Sequence, residues 1–232
     1  MEHQPGSHTI RHRSKHPQQK DKTLSFDPAL RPVRNVDNLR KNQLKQTNKA
    51  LLDLILLGHV NETAVSIVAA NLQVTMGLDT DIRPVLAKPD YAYVPGRNQF
   101  DAAKIIKTLC SITDGAPLKL GLIESDLCSP ILSFVYGESQ LGGKAALVSL
   151  HRLSADDAEV TYQRIAKISL HEVGHLLGIR HCWKTTCLMK HSSDLEPLDS
   201  LSMYFCSACD FEIKRRVKSL INQEISRLKS SA

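Results

Sequence analysis

His171, Glu172, His175, Gly178 and His181 stand at spacings that suit one metal ion. Residues four apart on a helix project from one face about a turn apart, so the imidazoles of His171 and His175 can converge. That offers two nitrogens to a single Zn²⁺. Glu172, beside the first histidine, is placed to act on a metal-bound water as general base without being a ligand itself. Gly178 tolerates the left-handed conformation that ends a helix, so the chain can turn back and bring His181 as a third nitrogen. Three protein ligands and one open position describe a catalytic zinc site rather than a structural one. His-Glu-x-x-His alone is a modest signal, because the same pentamer fits a core helix whose histidines are merely hydrogen-bonded. With Gly178 and His181 added, five fixed positions match a chain of this length by chance roughly once in 10⁵.

A second constellation follows at once. Cys182 and Cys187 form Cys-x4-Cys, and Cys206 and Cys209 form Cys-x2-Cys. Four thiolates in two close pairs fit a closed tetrahedral zinc site. Two disulfides, or free core thiols, are the competing readings. Residues 1–22 are polar, with no apolar stretch before a cleavage site, so a reducing compartment is expected for the thiols, which favours zinc. Cys182 directly follows His181, so a metal held there would brace the third histidine. Two zinc ions per chain are expected, one catalytic and one structural. Cys110 and Cys128 read as buried thiols.

These residues need elements to position them. The apolar run over residues 51–57, ending at Gly58, predicts a buried strand. Asn61 predicts the N-cap of a helix carrying Val65, Val68, Leu72 and Met76 and stopped by Gly77. Further strands are predicted over 82–86 (broken by Pro84), 118–123 and 132–135, and a helix over 99–110. Gly142-Gly143 predicts a hairpin or antiparallel pair leading into residues 145–150. A helix from Asp157 to Leu177 carries the first two histidines, and an amphipathic helix over 211–228 closes the chain. Strands interleaved with helices indicate an α/β domain with a mixed sheet.

The run from His171 to Cys209 resembles the archaemetzincins, a family of metzincin-type zinc metallopeptidases. The likeness rests on a cysteine right after the third histidine (Cys182), then Cys187, Met189 and the distal pair Cys206 and Cys209. Weaker similarity extends upstream through residues 99–102, 121–127, 134–140 and 149–153. The resemblance implies a metzincin-like, mostly parallel sheet with a backing helix and an active-site helix. It adds a small C-terminal zinc-braced subdomain ending in a helix. It also implies that Met189 is the methionine of the turn beneath the catalytic metal, and that an extended substrate lies along a sheet edge, here involving residues 145–150.

The expected activity is hydrolysis of peptide bonds through a zinc-bound water with Glu172 as general base. His151 and Tyr204 are weighed as oxyanion donors, though each reads more simply as a satisfied polar group. The alternative is a catalytically silent zinc-binding interaction module with a basic recruiting tail. That module would close the first site with a fourth protein ligand, His191 or an acid.

Charge separates the chain into two parts. Residues 1–49 hold eleven Lys and Arg against four acids, a balance of +7, whereas the other 183 residues sum to −1. With few large apolar side chains and four prolines, the segment 1–49 is expected to be a disordered tail, and residues 50–232 the catalytic domain. A net charge of +6 suggests nucleic acid, but the domain is near neutral, so only weak contact by the tail is expected. No window of 18 apolar residues exists, which excludes a spanning helix. The expected partner is a peptide or protein substrate, and the expected state a monomer. The expected location is cytoplasmic, with the nucleus as an alternative through the tail.

Overall fold

A computed structural model of the chain describes residues 50–230. The segment 1–49, and with it the expectation of a disordered tail, lies outside the described residues.

Strand β1 (Leu52–Leu57) is buried along its whole length, as a central strand covered on both faces must be. Helix α1 (Glu62–Asn71) starts at Asn61, whose side chain accepts from the Ala64 N–H at 3.0 Å. A π-helical turn over Leu72–Met76 continues it, and Gly77 ends it with φ of 70°. Strand β2 (Thr80–Ile82) begins two residues earlier than the predicted strand. Pro84 has no N–H to donate, so beyond Ile82 the chain keeps beside β1 through Arg83 N–H to Leu54 O and Leu86 N–H to Leu56 O.

Strands β3 (Tyr93–Val94) and β4 (Gln99–Asp101) form a short antiparallel pair. Residues 99–101 therefore correct the predicted helix: Phe100 donates its N–H to Asp126 O and stacks against Tyr93, and only then does α2 (Ala102–Cys110) start. Its cap is Asp101, and its buried face is Ala102, Ile105, Ile106 and Leu109, so Ala103 is turned to solvent. Strands β5 (Leu118–Ile123) and β6 (Leu127–Cys128) follow.

The predicted strand over 132–135 is a loop except at Val135, which forms a single antiparallel bridge with Leu127. Arg97 donates to the carbonyls of Ser129, Leu132 and Ser133, which removes them from any ladder. The strand forms later, as β7 (Gly137–Ser139), paired with β8 (Ala145–Ser149) in the expected hairpin. Helix α3 (Ala158–Leu176) is capped by Asp157, and α4 (Leu195–Ser200) and α5 (Ser207–Ser230) complete the chain.

The main sheet has the order β2-β1-β5-β8-β7, with every neighbouring pair parallel except β7 with β8. One face carries Leu52, Leu54, Leu56, Leu120, Leu122 and Val148 against α1 and α3. The other carries Ile55, Leu57, Ile123 and Leu147 against α2. This is the expected mixed, mostly parallel α/β architecture. The expected substrate edge needs correction: β8 is paired on both sides, by β5 and β7, so residues 145–149 offer no free edge. The free edge on this side of the sheet is β7. Among the described residues, no helix is long and apolar enough to cross a membrane.

Candidate active site

Helix α3 delivers His171, Glu172 and His175 from its last two turns. Gly178 then takes φ of 85°, and its N–H and that of Gly142 both donate to the carbonyl of His175. The chain swings back and sets His181 against the pair. The Nε2 of His175 lies 3.0 Å from that of His171 and 3.1 Å from that of His181. His171 and His175 are half-buried, and His181 is exposed.

Two contacts decide what these nitrogens can do. His171 Nδ1 meets Leu188 O at 2.8 Å, and His175 Nδ1 meets Ile179 O at 2.7 Å. A carbonyl oxygen only accepts, so each Nδ1 carries the hydrogen and each Nε2 keeps a lone pair. Burial pushes His171 down to about 4 and also lowers His175 and His181, so a second proton is disfavoured. Lone pairs facing each other at 3.0 Å repel unless a cation lies between them. Tetrahedral zinc, at about 2.0–2.1 Å from each nitrogen, sets its ligands roughly 3.3 Å apart. The residues present therefore fit zinc. Among the described residues, no fourth donor joins the three: the His191 ring lies 4.9 Å from that of His181 but stays outside the converging group.

Glu172 is 8% exposed, and its carboxylate faces the edge strand rather than a cationic partner. Burial pushes its pKa up to about 7, against the hydrogen bond from Ser139 Oγ, which donates to Oε2 at 2.7 Å. Beneath the histidines lies Met189, fully buried. A Cβ on Gly174 would fall 2.5 Å from Met189 Sδ, so the helix approaches this side chain only because position 174 has none. The turn around Met189 is tied to both histidine-bearing segments. Leu188 O takes His171 Nδ1, and Met189 O accepts the Cys182 N–H at 2.8 Å.

The sulfurs of Cys182, Cys187, Cys206 and Cys209 lie within 4.8 Å of one another, and none is in a disulfide. The Cys182 and Cys206 sulfurs are 3.8 Å apart, the spacing that zinc–sulfur bonds of about 2.3 Å impose, roughly 3.8 Å. Cys206 immediately precedes α5, its carbonyl accepting from the Asp210 N–H, and Cys209 lies in the first turn. The Cys209 N–H that Cys206 accepts brings the Cys206 thiol down to about 7, while burial and its neighbours push Cys209 up. One thiolate forms readily and then opposes the next; a divalent cation removes that opposition. Cys128 is buried as expected, but Cys110 is only half-buried, its thiol 3.0 Å from Gln140 Oε1.

The two oxyanion candidates separate. His151 follows β8 at its far end, lining a polar cavity of about 460 Å³ with Glu124 and Asp126, whereas His175 meets the turn that precedes β8. Tyr204 is exposed, and its carbonyl accepts from the Leu188 N–H, so its backbone adjoins the Met189 turn. Sequence reasoning missed Gly137 and Ser139, which cover Glu172, and no local motif marks them. Only the alternation of side chains along β7, once its register is known, puts both on one face.

The sequence profile of Peptidase family M54 matches residues 88–215, a span that includes the three histidines, Glu172 and the four clustered cysteines. An archaemetzincin of Archaeoglobus fulgidus is 30% identical over 155 residues, covering 67% of this chain and 94% of its own length. The fold is similar to the crystal structure of an archaemetzincin from Methanopyrus kandleri, with a TM-score of 0.67 at 30% identity, over 73% of this chain and 96% of that one. It is also similar to a zinc-dependent peptidase from Methanocorpusculum labreanum, with a TM-score of 0.62 at 25% identity, over 70% and 99% of the two chains.

Proposed function

This chain belongs to the archaemetzincins, peptidase family M54, and is a zinc metallopeptidase; from that premise we propose which of its residues do the chemistry and how. His171, His175 and His181 hold the catalytic zinc, and Cys182, Cys187, Cys206 and Cys209 hold a second, structural one. When bound, the catalytic zinc acidifies a coordinated water and polarises the scissile carbonyl. Glu172 accepts the proton of the attacking water and hands it to the leaving amine. Met189 supports the histidines from below, against Gly174. Residues 50–232 make up the catalytic domain, and the basic segment 1–49 stays outside the chemistry.

The substrate pairs with the outer edge of β7. Tyr136 O and Gln140 N–H are both bound to β8, so by the alternation of an antiparallel ladder the backbone groups of Gly137 and Ser139 face away from it. An extended peptide can add there as a further strand.

The observation that carries the reading is the convergence of hydrogen-free Nε2 atoms at 3.0 Å, with a buried carboxylate on the adjoining residue of the same helix. Glu172→Ala tests it. Turnover of a peptide chosen from a library should fall about 10²- to 10⁴-fold, the range of general-base catalysis, while bound zinc stays at the wild-type level. Undiminished turnover by the zinc-loaded variant removes Glu172 as the base.

A further inference from the structure

We propose that Ser139 is a positioning residue for the Glu172 carboxylate, so that the strand receiving the substrate also aims the base. The inference rests on the reading of Glu172 as base and β7 as substrate edge. Ser139 Oγ donates to Glu172 Oε2 at 2.7 Å. Two residues earlier on the same face, a Cβ on Gly137 would fall 2.6 Å from Glu172 Cγ, 2.9 Å from Cδ and 3.0 Å from Oε1. The carboxylate thus sits under β7 because Gly137 leaves room for it, and Ser139 fixes which way its oxygens point.

A glutamate has three side-chain torsions, and packing against Gly137 restrains the stem more than the terminal carboxylate, whose rotation is broad. The Ser139 hydroxyl binds one oxygen and leaves the other free to face the reacting water. Ser139 also has its backbone groups on the free edge of β7. A peptide that pairs there rests on the residue that orients the base, so substrate register and base position are set together. Misplacement of a catalytic group by a fraction of an ångström is costly in rate without disturbing binding.

The test uses the full zinc-loaded chain. Ser139→Ala should lower kcat about tenfold with KM within about twofold, at unchanged zinc content and unchanged Tm. Ser139→Thr, which keeps the hydroxyl, should restore most of the loss. A peptide hydroxamate, which binds zinc and shares a proton with the base, should bind Ser139→Ala about tenfold more weakly, and a peptide thiol should bind both proteins alike. A Ser139→Ala protein with wild-type kcat and hydroxamate affinity overturns the proposal. So does a loss that comes with lower zinc content or Tm and that threonine does not rescue, or a rise in KM alone. Glu172→Gln separates the two levels. If it keeps full turnover, the base assignment fails; if it is inactive while Ser139→Ala is unaffected, only the positioning role fails.

Discussion

The three histidines and the four cysteines lie side by side in the chain, yet the protein holds them by different means. Two of the histidines sit on one helix, and each is fixed through Nδ1 to a backbone carbonyl, Leu188 O or Ile179 O. Their nitrogens converge through protein contacts alone. The cysteines come from two segments, and Cys182 and Cys206 are 24 residues apart. Besides sulfur–sulfur contacts, the two segments are joined by the Cys206 N–H to the Cys187 sulfur at 3.3 Å, by the Leu188 N–H to Tyr204 O at 3.1 Å and by Ser202 Oγ, which donates to Thr186 O at 2.9 Å. A metal between the thiols would add a strong cross-link to these few hydrogen bonds between distant segments, whereas a metal between the imidazoles would occupy a site that one helix and its turn have already shaped. The first arrangement couples metal to folding, the second to chemistry.

The largest expected effect breaks the comparison at its weaker-built side. Cys206→Ser with Cys209→Ser should lose one zinc per chain and much stability. Structural zinc is worth of order 10 kcal/mol in small peptides. Even about 3 kcal/mol would lower Tm by roughly 6–12 °C for a domain of this size. His181→Ala should also lose one zinc, but Tm should stay within a few degrees. Metal analysis and calorimetry on the two variants decide the matter, and equal losses of stability would remove the distinction drawn above.

That distinction was partly legible in the sequence. His171, His175 and His181 are local, spanning eleven residues of helix and turn, so spacing alone specified their convergence. The four cysteines were legible as two pairs because thiol spacing is as constrained as helical spacing. Long-range register was not. Residues 145–150 read as an edge because nothing local shows that a three-residue strand, Gly137–Ser139, pairs alongside them. Residues 132–135 looked like a strand because the guanidinium that takes up that loop's carbonyls, Arg97, comes from 35 residues away. Phe100 read as helical for the same reason: its apolar character is shared by a strand and a helix face, and its pairing with Leu127 decides between them.

A smaller effect sharpens the histidine side. Gly174→Ala places a methyl 2.5 Å from Met189 Sδ in a fully buried contact. Overpacking of this kind costs about 1–3 kcal/mol. It should push apart the helix and the Met189 turn, which also carries the Leu188 carbonyl that fixes His171. Zinc affinity should therefore drop at the histidines and not at the cysteines, read by competition with a chelator. Selective loss at the cysteines instead would show that the Met189 turn braces the other site.

The smallest effect concerns the segment that connects the two sites. Helix α4 lies between Met189 and Cys206 and is clamped to α3 by Arg164, whose Nε and Nη2 donate to Asp199 at 2.8 and 2.7 Å. Lys167 adds bonds to the carbonyls of Leu198 and Asp199. The Arg164 hydrogen bonds, opposed by burial, hold the Asp199 carboxyl below the ordinary carboxylate range. A carboxylate with a lowered folded pKa adds stability that is complete above its unfolded pKa, about 3.9, and disappears as pH falls through the folded value. Asp199 is over a third exposed, so solvent screening limits the contribution to at most about 1 kcal/mol. Asp199→Asn should therefore be slightly less stable than wild type at pH 6–7, with the two Tm curves converging below pH 4. A gap that persists in acid would mean the Lys167 bonds and packing, not the ion pair, hold α4 in place.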